Sequence, residues 1–80
     1  MARMGRMAIF DDKTERVQAL VTTPTKAVIE RHRTRLRALY AEVMGRPWTS
    51  PVSDSDTIEF MARGVDQTRR YLRMKRAAES

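Results

Sequence analysis

Basic side chains are the residues of this 80-residue sequence with the most evident chemistry, because Lys and Arg bind anions. Sixteen Lys and Arg residues stand against ten Asp and Glu, which gives a formal net charge of +6 at pH 7 and a pI near 10.8. Five basic residues and no acidic ones fall within residues 69–76. This positive charge on a 9.3 kDa chain predicts an anionic partner, with nucleic acid as the first candidate.

The sequence offers little for catalysis or metal binding. It contains no cysteine and one histidine, His32, with no nucleophile or carboxylate arrangement around it. It has no glycine-rich phosphate loop and no set of metal ligands. No apolar run reaches the roughly 18 residues of a transmembrane helix. We therefore expect a non-enzymatic protein without cofactor, metal or membrane partner, in which His32 is a packed side chain.

The elements that position the charges are few, because 80 residues form a single small domain. A chain of this length buries little core by itself, and without disulfides or a metal it needs another source of stability. We expect a second protein chain to supply it. Residues 1–15 are predicted to be a flexible basic arm. Arg3 and Arg6 in this arm are expected either to reach DNA phosphate or the minor groove, or to be incidental charges of a disordered start.

Residues 16–23 are open to two interpretations. Their β-branched side chains favour a strand, and the strand would place alternate residues on opposite faces. The alternative is a short helix from an Asp12 cap to about Leu20, with Glu15 completing a capping box. We favour the strand, because the helix would be very short and the Val-Thr-Thr-Pro ending suits an extended backbone.

The first helix is predicted over residues 24–44. Thr23 is a suitable N-cap, Pro24 suits the first helical position, and Gly45 is a typical helix end. Its apolar side chains recur at helical spacing and form one stripe. The stripe consists of Val28, His32, Leu36, Leu39, Tyr40 and Val43.

The second helix is predicted over residues 55–76, with a tail at residues 77–80. Ser55 is its expected N-cap, and negative charge in the first turn with positive charge in the last turns suits the helix dipole. Gly64 costs about 1 kcal/mol inside a helix, so we expect it to permit a close helix–helix approach at a dimer axis. The predicted apolar face consists of Ile58, Met61, Ala62, Val65 and Leu72.

This order of strand, helix and helix in a small basic chain resembles the ribbon-helix-helix family, which includes the Arc and MetJ repressors. The resemblance rests on VQALVTTP, on the long helix that ends at MGR, and on SDSDTIEFMARGVD, and it covers roughly residues 16–72. It implies a mainly α homodimer. In that dimer the short N-terminal strand pairs with the strand of a second chain, and two helices from each chain lie beneath the ribbon.

The resemblance also implies the roles of particular residues. The outward face of the ribbon contacts base edges in the major groove, while the start of the second helix binds phosphate through its backbone N–H groups. The implied base-contacting residues are Arg16, Gln18, Leu20 and Thr22. Ser53 and Ser55 are the implied phosphate contacts of the second helix. The implied dimer interface contains Ala19, Val21, Ile58, Met61, Ala62, Gly64 and Val65. Leu20 departs from the polar or basic residue that the family usually places there, and its side chain suits a thymine methyl group.

The predicted function is therefore sequence-specific binding of double-stranded DNA by a homodimer. Such a protein would act as a transcriptional repressor or as an accessory in plasmid or phage DNA processing, in the cytoplasm of a bacterium or a phage-infected cell. The alternative is a small helical module that binds a partner protein, such as a toxin or relaxase, as an inhibitor, antitoxin or phage-encoded antagonist. A helical form of residues 12–20 would favour this alternative, because it leaves no ribbon.

Overall fold

A computed structural model describes residues 8–79. The described chain is mainly helical and contains two helices, α1 (Thr23–Met44) and α2 (Asp54–Glu79). The loop between them doubles back along α1, where Trp48 contacts the Tyr40 ring at 5.0 Å between centroids. As a result, α2 begins beside Arg33 and ends beside Arg46, so the two helices run in the same general direction.

The first helix begins and ends where local sequence signals place it. Thr22 is the N-cap, one residue before the predicted Thr23, because its Oγ1 accepts from the Thr25 N–H at 3.3 Å. Pro24 follows as the second helical residue, where its missing N–H has no cost. Gly45 closes the helix in the left-handed conformation with φ 75°, and its N–H donates to the Ala41 carbonyl at 3.0 Å.

The second helix begins one residue before the predicted start. The Ser53 hydroxyl accepts from the Asp56 N–H at 3.0 Å, so Ser53 is the N-cap and the prediction of Ser55 was wrong. The helix also runs to Glu79, so the predicted tail at residues 77–79 is helical, while Ser80 lies outside the described residues.

Gly64 interrupts α2 with a non-helical backbone conformation, φ 84° and ψ 172°. A β-carbon added there would meet no atom within 4 Å, so nothing in the described chain approaches this glycine closely. Glycine is required within the chain because the backbone adopts a conformation that other residues avoid. The predicted close approach at a dimer axis concerns a second chain and stays a prediction.

The core lies between α1, the returning loop and both halves of α2. Much of the predicted stripe of α1 is buried, including Leu36, Leu39, Tyr40 and Val43. In α2 the buried face differs from the predicted one, since Leu72 is buried but Ile58 is 54% exposed. The buried apolar residues are Ile9, Phe10, Leu36, Leu39, Tyr40, Val43, Met44, Trp48, Val52, Phe60 and Leu72.

Residues 10–22 form neither a helix nor a strand, and they contain no turn or bend. The alternative prediction of a short helix over residues 12–20 is therefore wrong. The predicted strand over residues 16–23 is also not observed, since Thr23 belongs to α1 and residues 16–22 form no backbone ladder with another described segment. A strand is defined by pairing, and in a ribbon-helix-helix protein the pairing partner is a second chain.

Neither described helix is long and apolar enough to cross a membrane.

Candidate nucleic-acid interface

Residues 14–21 lie on the surface and are not held by hydrogen bonds to the rest of the described chain. We name them the reading segment, because they include three of the four predicted base-contacting residues. Every residue of this segment is exposed, with Val17 at 85% and Leu20 fully exposed. The segment forms no hydrogen bond with any other described residue. Backbone N–H and C=O groups and apolar side chains are thus left together in solvent, which is an unusual combination for eight consecutive residues.

The two faces of the reading segment differ in their surroundings. Val17, Ala19 and Val21 line a cleft of about 570 Å³ together with Ile29 of α1 and Ile58 of α2. This is the face that the sequence assigned to the packing side of the strand. The cleft is open to solvent, so these apolar side chains remain largely uncovered in the single chain.

The predicted base-contacting residues have different settings in the structure. Arg16 and Leu20 are exposed and lie outside the apolar cleft, whereas Gln18 is exposed but is one of the residues that line the cleft. Thr22 is already in use as the N-cap of α1, and its hydroxyl also contacts Thr25 Oγ1 at 3.0 Å. Of the four, Arg16, Gln18 and Leu20 are therefore available to a ligand without loss of a described hydrogen bond.

The first turn of α2 contains the second predicted contact surface. The N–H groups of Asp54 and Ser55 donate to no described residue, as expected for the first residues of a helix. Ser53 is occupied as the N-cap, and the Ser55 hydroxyl accepts from Lys13 Nζ at 2.7 Å. Both predicted serines thus lie at the exposed end of the helix, beside free backbone donors.

Two acidic residues in this turn pair with neighbouring cations. Asp56 pairs with Lys13 Nζ at 2.6 Å, so this pair has no net charge. Arg33 pairs with Glu30 and with Asp54, and these two hydrogen bonds raise the pKa of the Arg33 guanidinium. Because one guanidinium serves two carboxylates, the charge of Asp54 is only partly compensated, and an approaching phosphate meets one remaining negative charge in this group.

Residues 9–13 form a compact attachment to α2, which we name the N-terminal clip. Ile9 and Phe10 are fully buried, so the predicted flexible arm does not extend through these residues. Arg3 and Arg6 lie outside the described residues. The backbone N–H groups of Ile9 and Phe10 donate to the two carboxylate oxygens of Asp56, at 2.8 and 3.2 Å.

Charged and aromatic side chains of α2 complete the attachment of the clip. The Arg63 guanidinium lies 4.5 Å from the centroid of the Phe10 ring and also pairs with Asp12. The Tyr71 hydroxyl donates to Asp11 at 2.7 Å, and Lys75 pairs with the same carboxylate at 3.1 Å. The hydrogen bond from Tyr71, followed by that from Lys75, lowers the pKa of Asp11 below its ordinary value, while burial raises the pKa of Tyr71.

The remaining basic residues divide into structural and exposed ones. Arg33 and Arg37 donate to the Val52 and Trp48 carbonyl oxygens and so hold the returning loop against α1. In α2, Arg69 pairs with Glu42. The basic side chains of the helices that remain exposed without a described ion pair include Lys26, Arg31, Arg35, Arg70 and Arg73.

Several further expectations concern side chains whose positions are now defined. His32 is half-buried, with Nδ1 2.9 Å from the Val28 carbonyl and its ring edge against Phe60, which agrees with a packed role. Within residues 8–79, no group of three His, Cys, Asp or Glu residues could hold a metal ion. Asp56 and Arg63 were missed as organising residues, because their partners in the clip are at least 43 residues away in sequence.

Comparison of the chain with models of protein families, with curated proteins and with solved structures gives no match.

Proposed function

We propose that this chain is a sequence-specific double-stranded DNA-binding protein of the ribbon-helix-helix type, active as a homodimer. In this proposal it acts in transcriptional repression or in plasmid or phage DNA processing. The observation that supports it most directly is the reading segment. Eight exposed, hydrogen-bond-free residues lead straight into the N-cap of α1, and α2 begins beside them.

A second copy of the chain is the partner that best completes this segment. An antiparallel twin would satisfy the backbone groups of residues 14–21 by forming a two-stranded ribbon. Such a ribbon is marginal alone but stable when it packs on helices. The twin would also cover the open apolar cleft lined by Val17, Val21 and Ile58.

The proposed dimer interface therefore follows the exposed apolar side chains of the single chain. Val21, Ile58 and Met61 are all exposed, although each is apolar. Val65 is half-buried and packs against the edge of the core. The full proposed interface comprises Ala19, Val21, Ile58, Met61, Ala62, Gly64 and Val65.

The outward face of the ribbon would read bases in the major groove. Gln18 can form two hydrogen bonds with adenine, Arg16 can pair with guanine, and Leu20 suits a thymine methyl group. Thr22 would contribute its methyl group, because its hydroxyl serves as the N-cap of α1. The ribbon would thus combine polar and apolar base contacts.

The start of α2 would hold a DNA phosphate. Its free N–H groups and the positive end of the helix dipole suit an anion, and Lys13 and Arg33 partly offset the acidic side chains there. A dimer would carry about twice the charge of +6, so its DNA affinity should fall steeply with salt.

The decisive experiment combines the mass of the full chain in solution with unbiased selection of DNA sites at fixed salt. A dimer that selects one duplex sequence supports the proposal. A monomer excludes the ribbon, and a monomer without DNA preference favours the alternative, in which residues 14–21 bind a partner protein such as a toxin.

The variant Ala19→Pro tests the ribbon directly. Proline lacks an N–H and disrupts a paired strand, but residue 19 makes no hydrogen bond within the described chain. We expect loss of the dimer and of DNA selectivity with unchanged helix content by circular dichroism. A variant that remains a selective dimer would show that residues 14–21 do not pair.

A further inference from the structure

Asp56 is a fully buried carboxylate in the first turn of α2. It is 0% exposed, and both of its carboxylate oxygens are occupied. Oδ2 accepts from the Ile9 N–H, while Oδ1 accepts from the Phe10 N–H and from Lys13 Nζ. A buried carboxylate is tolerated only when it is paired and hydrogen-bonded, and here every partner belongs to the N-terminal clip.

These contacts end one residue before the reading segment begins. Lys13 is held by Asp56 and Ser55, and Thr22 is held as the N-cap of α1. Residues 14–21 therefore lie between two residues that are hydrogen-bonded to the helices, and they make no hydrogen bond to any described residue themselves. Attachment of the chain at both ends limits how far the segment between them can shift.

The register of this segment decides which side chains face outward. Side chains alternate between the two faces of a strand, so a slip of one residue exchanges the reading and packing faces. Such a slip would turn Gln18 inward and Ala19 outward. Fixing the start of the segment is therefore a condition for reading a particular sequence.

We infer that Asp56 is a positioning residue that fixes the start and register of the reading segment by holding the clip on α2. The inference rests on the proposed function, since it concerns DNA selectivity. Asp56 itself touches no DNA in this scheme and acts through residues 9, 10 and 13.

Glu42 of α1 provides a control of equal charge. It is exposed and pairs with Arg69 of α2, without a described contact to the clip or to the start of α2. Glu42→Gln and Asp56→Asn therefore raise the net charge equally, and only the second variant replaces one of the two carboxylate oxygens that accept from the clip with an amide NH2 group.

The test measures two quantities on the full-length chain. The first is hydrogen exchange at the backbone amides of Ile9 and Phe10, which reports attachment of the clip. The second is the ratio of affinities for a selected duplex and a scrambled duplex at one salt concentration, which cancels the effect of the added charge. The dimer mass and the thermal midpoint are recorded for each variant.

We expect Asp56→Asn to accelerate exchange at both amides about tenfold or more and to lower the affinity ratio by a similar factor, with the dimer retained. Glu42→Gln should leave both quantities within about twofold. If Asp56→Asn does not fold, Lys13→Met replaces it, because it removes the contact nearest the reading segment and should lower the same ratio about threefold.

Two outcomes separate the inference from the proposed function. If the wild-type chain prefers no duplex, the proposed function fails and the inference fails with it. If the wild type is selective but Asp56→Asn frees the clip and keeps the full affinity ratio, only the inference is overturned.

Discussion

The clip and the reading segment are consecutive in the chain and opposite in structure. Both contain apolar residues, yet Ile9 and Phe10 of the clip are fully buried while Val17 and Leu20 of the reading segment are exposed. The clip makes hydrogen bonds to five side chains of α2, whereas the segment makes none within the described chain.

This contrast shows which residues have hydrogen-bond and ion-pair partners within the described chain and which have none. Up to Lys13, α2 supplies partners for backbone and charge, and from Thr22 onward α1 supplies them. Between these points the described chain supplies no hydrogen-bond partner, although the residues are of types that favour a paired strand. The same short stretch of sequence therefore contains one part that is packed into the core and one part that is exposed.

The largest expected effect comes from truncating the clip inside the core. Phe10→Ala should destabilise the protein by about 3–5 kcal/mol, because a fully buried aromatic ring and its contact with Arg63 are lost. The matched control is Leu20→Ala, which removes a fully exposed side chain and should change stability by no more than about 0.5 kcal/mol. Urea unfolding of both variants measures the difference. Equal effects would remove the contrast between the two regions.

The break in α2 is the next largest expected effect. Gly64→Ala should cost about 1–3 kcal/mol, because the backbone there has φ 84° and ψ 172°. A β-carbon meets open space at this position, so the cost is conformational and not steric. A synthetic chain with D-alanine at position 64 is the control and should be at least as stable as the wild type. A stabilising Gly64→Ala would mean that α2 is continuous in solution.

The ends of the helices could be predicted from the sequence because their signals are local. Thr22 or Thr23 before Pro24 marks the start of α1, Gly45 marks its end, and both lie within one residue of the predicted bounds. The predicted N-caps were each displaced, since neighbouring Ser and Thr residues are equivalent until the hydrogen bond is known.

The buried face of α2 and the clip could not be predicted, because both depend on distant contacts. Phe60 is buried although the predicted apolar face omitted it, and Met61, which belonged to that face, is exposed. The buried Thr57 and Thr68 give no apolar signal, and the break at Gly64 shifts the helical phase. For the candidate site, the β-branched side chains of residues 16–23 are a local signal, whereas the contacts of Asp56 with residues 9, 10 and 13 join distant parts of the sequence.

A substitution in the reading segment should affect DNA selectivity clearly, while it affects stability less than the substitutions of Phe10 and Gly64. Gln18→Ala should lower the preference for a selected duplex about tenfold, since a bidentate contact with adenine contributes about 1–3 kcal/mol. Stability should not change, because Gln18 has no partner in the described chain. Gln67→Ala, an exposed glutamine of α2, is the control and should bind like the wild type. Preserved preference in Gln18→Ala would place the reading residues elsewhere.

The smallest expected effect is the acid sensitivity of the clip. Hydrogen bonds from Tyr71 and then Lys75 lower the pKa of Asp11 below its ordinary value of 3.8. A carboxyl with a lowered pKa in the folded protein stabilises it above pH 3.8, and this contribution is lost as the pH falls through the folded pKa. The wild type and Asp11→Asn should thus differ most above pH 3.8 and converge below it in urea unfolding. In an NMR titration, Tyr71→Phe should raise the pKa of Asp11, and an unchanged value would show that this hydrogen bond is absent in solution.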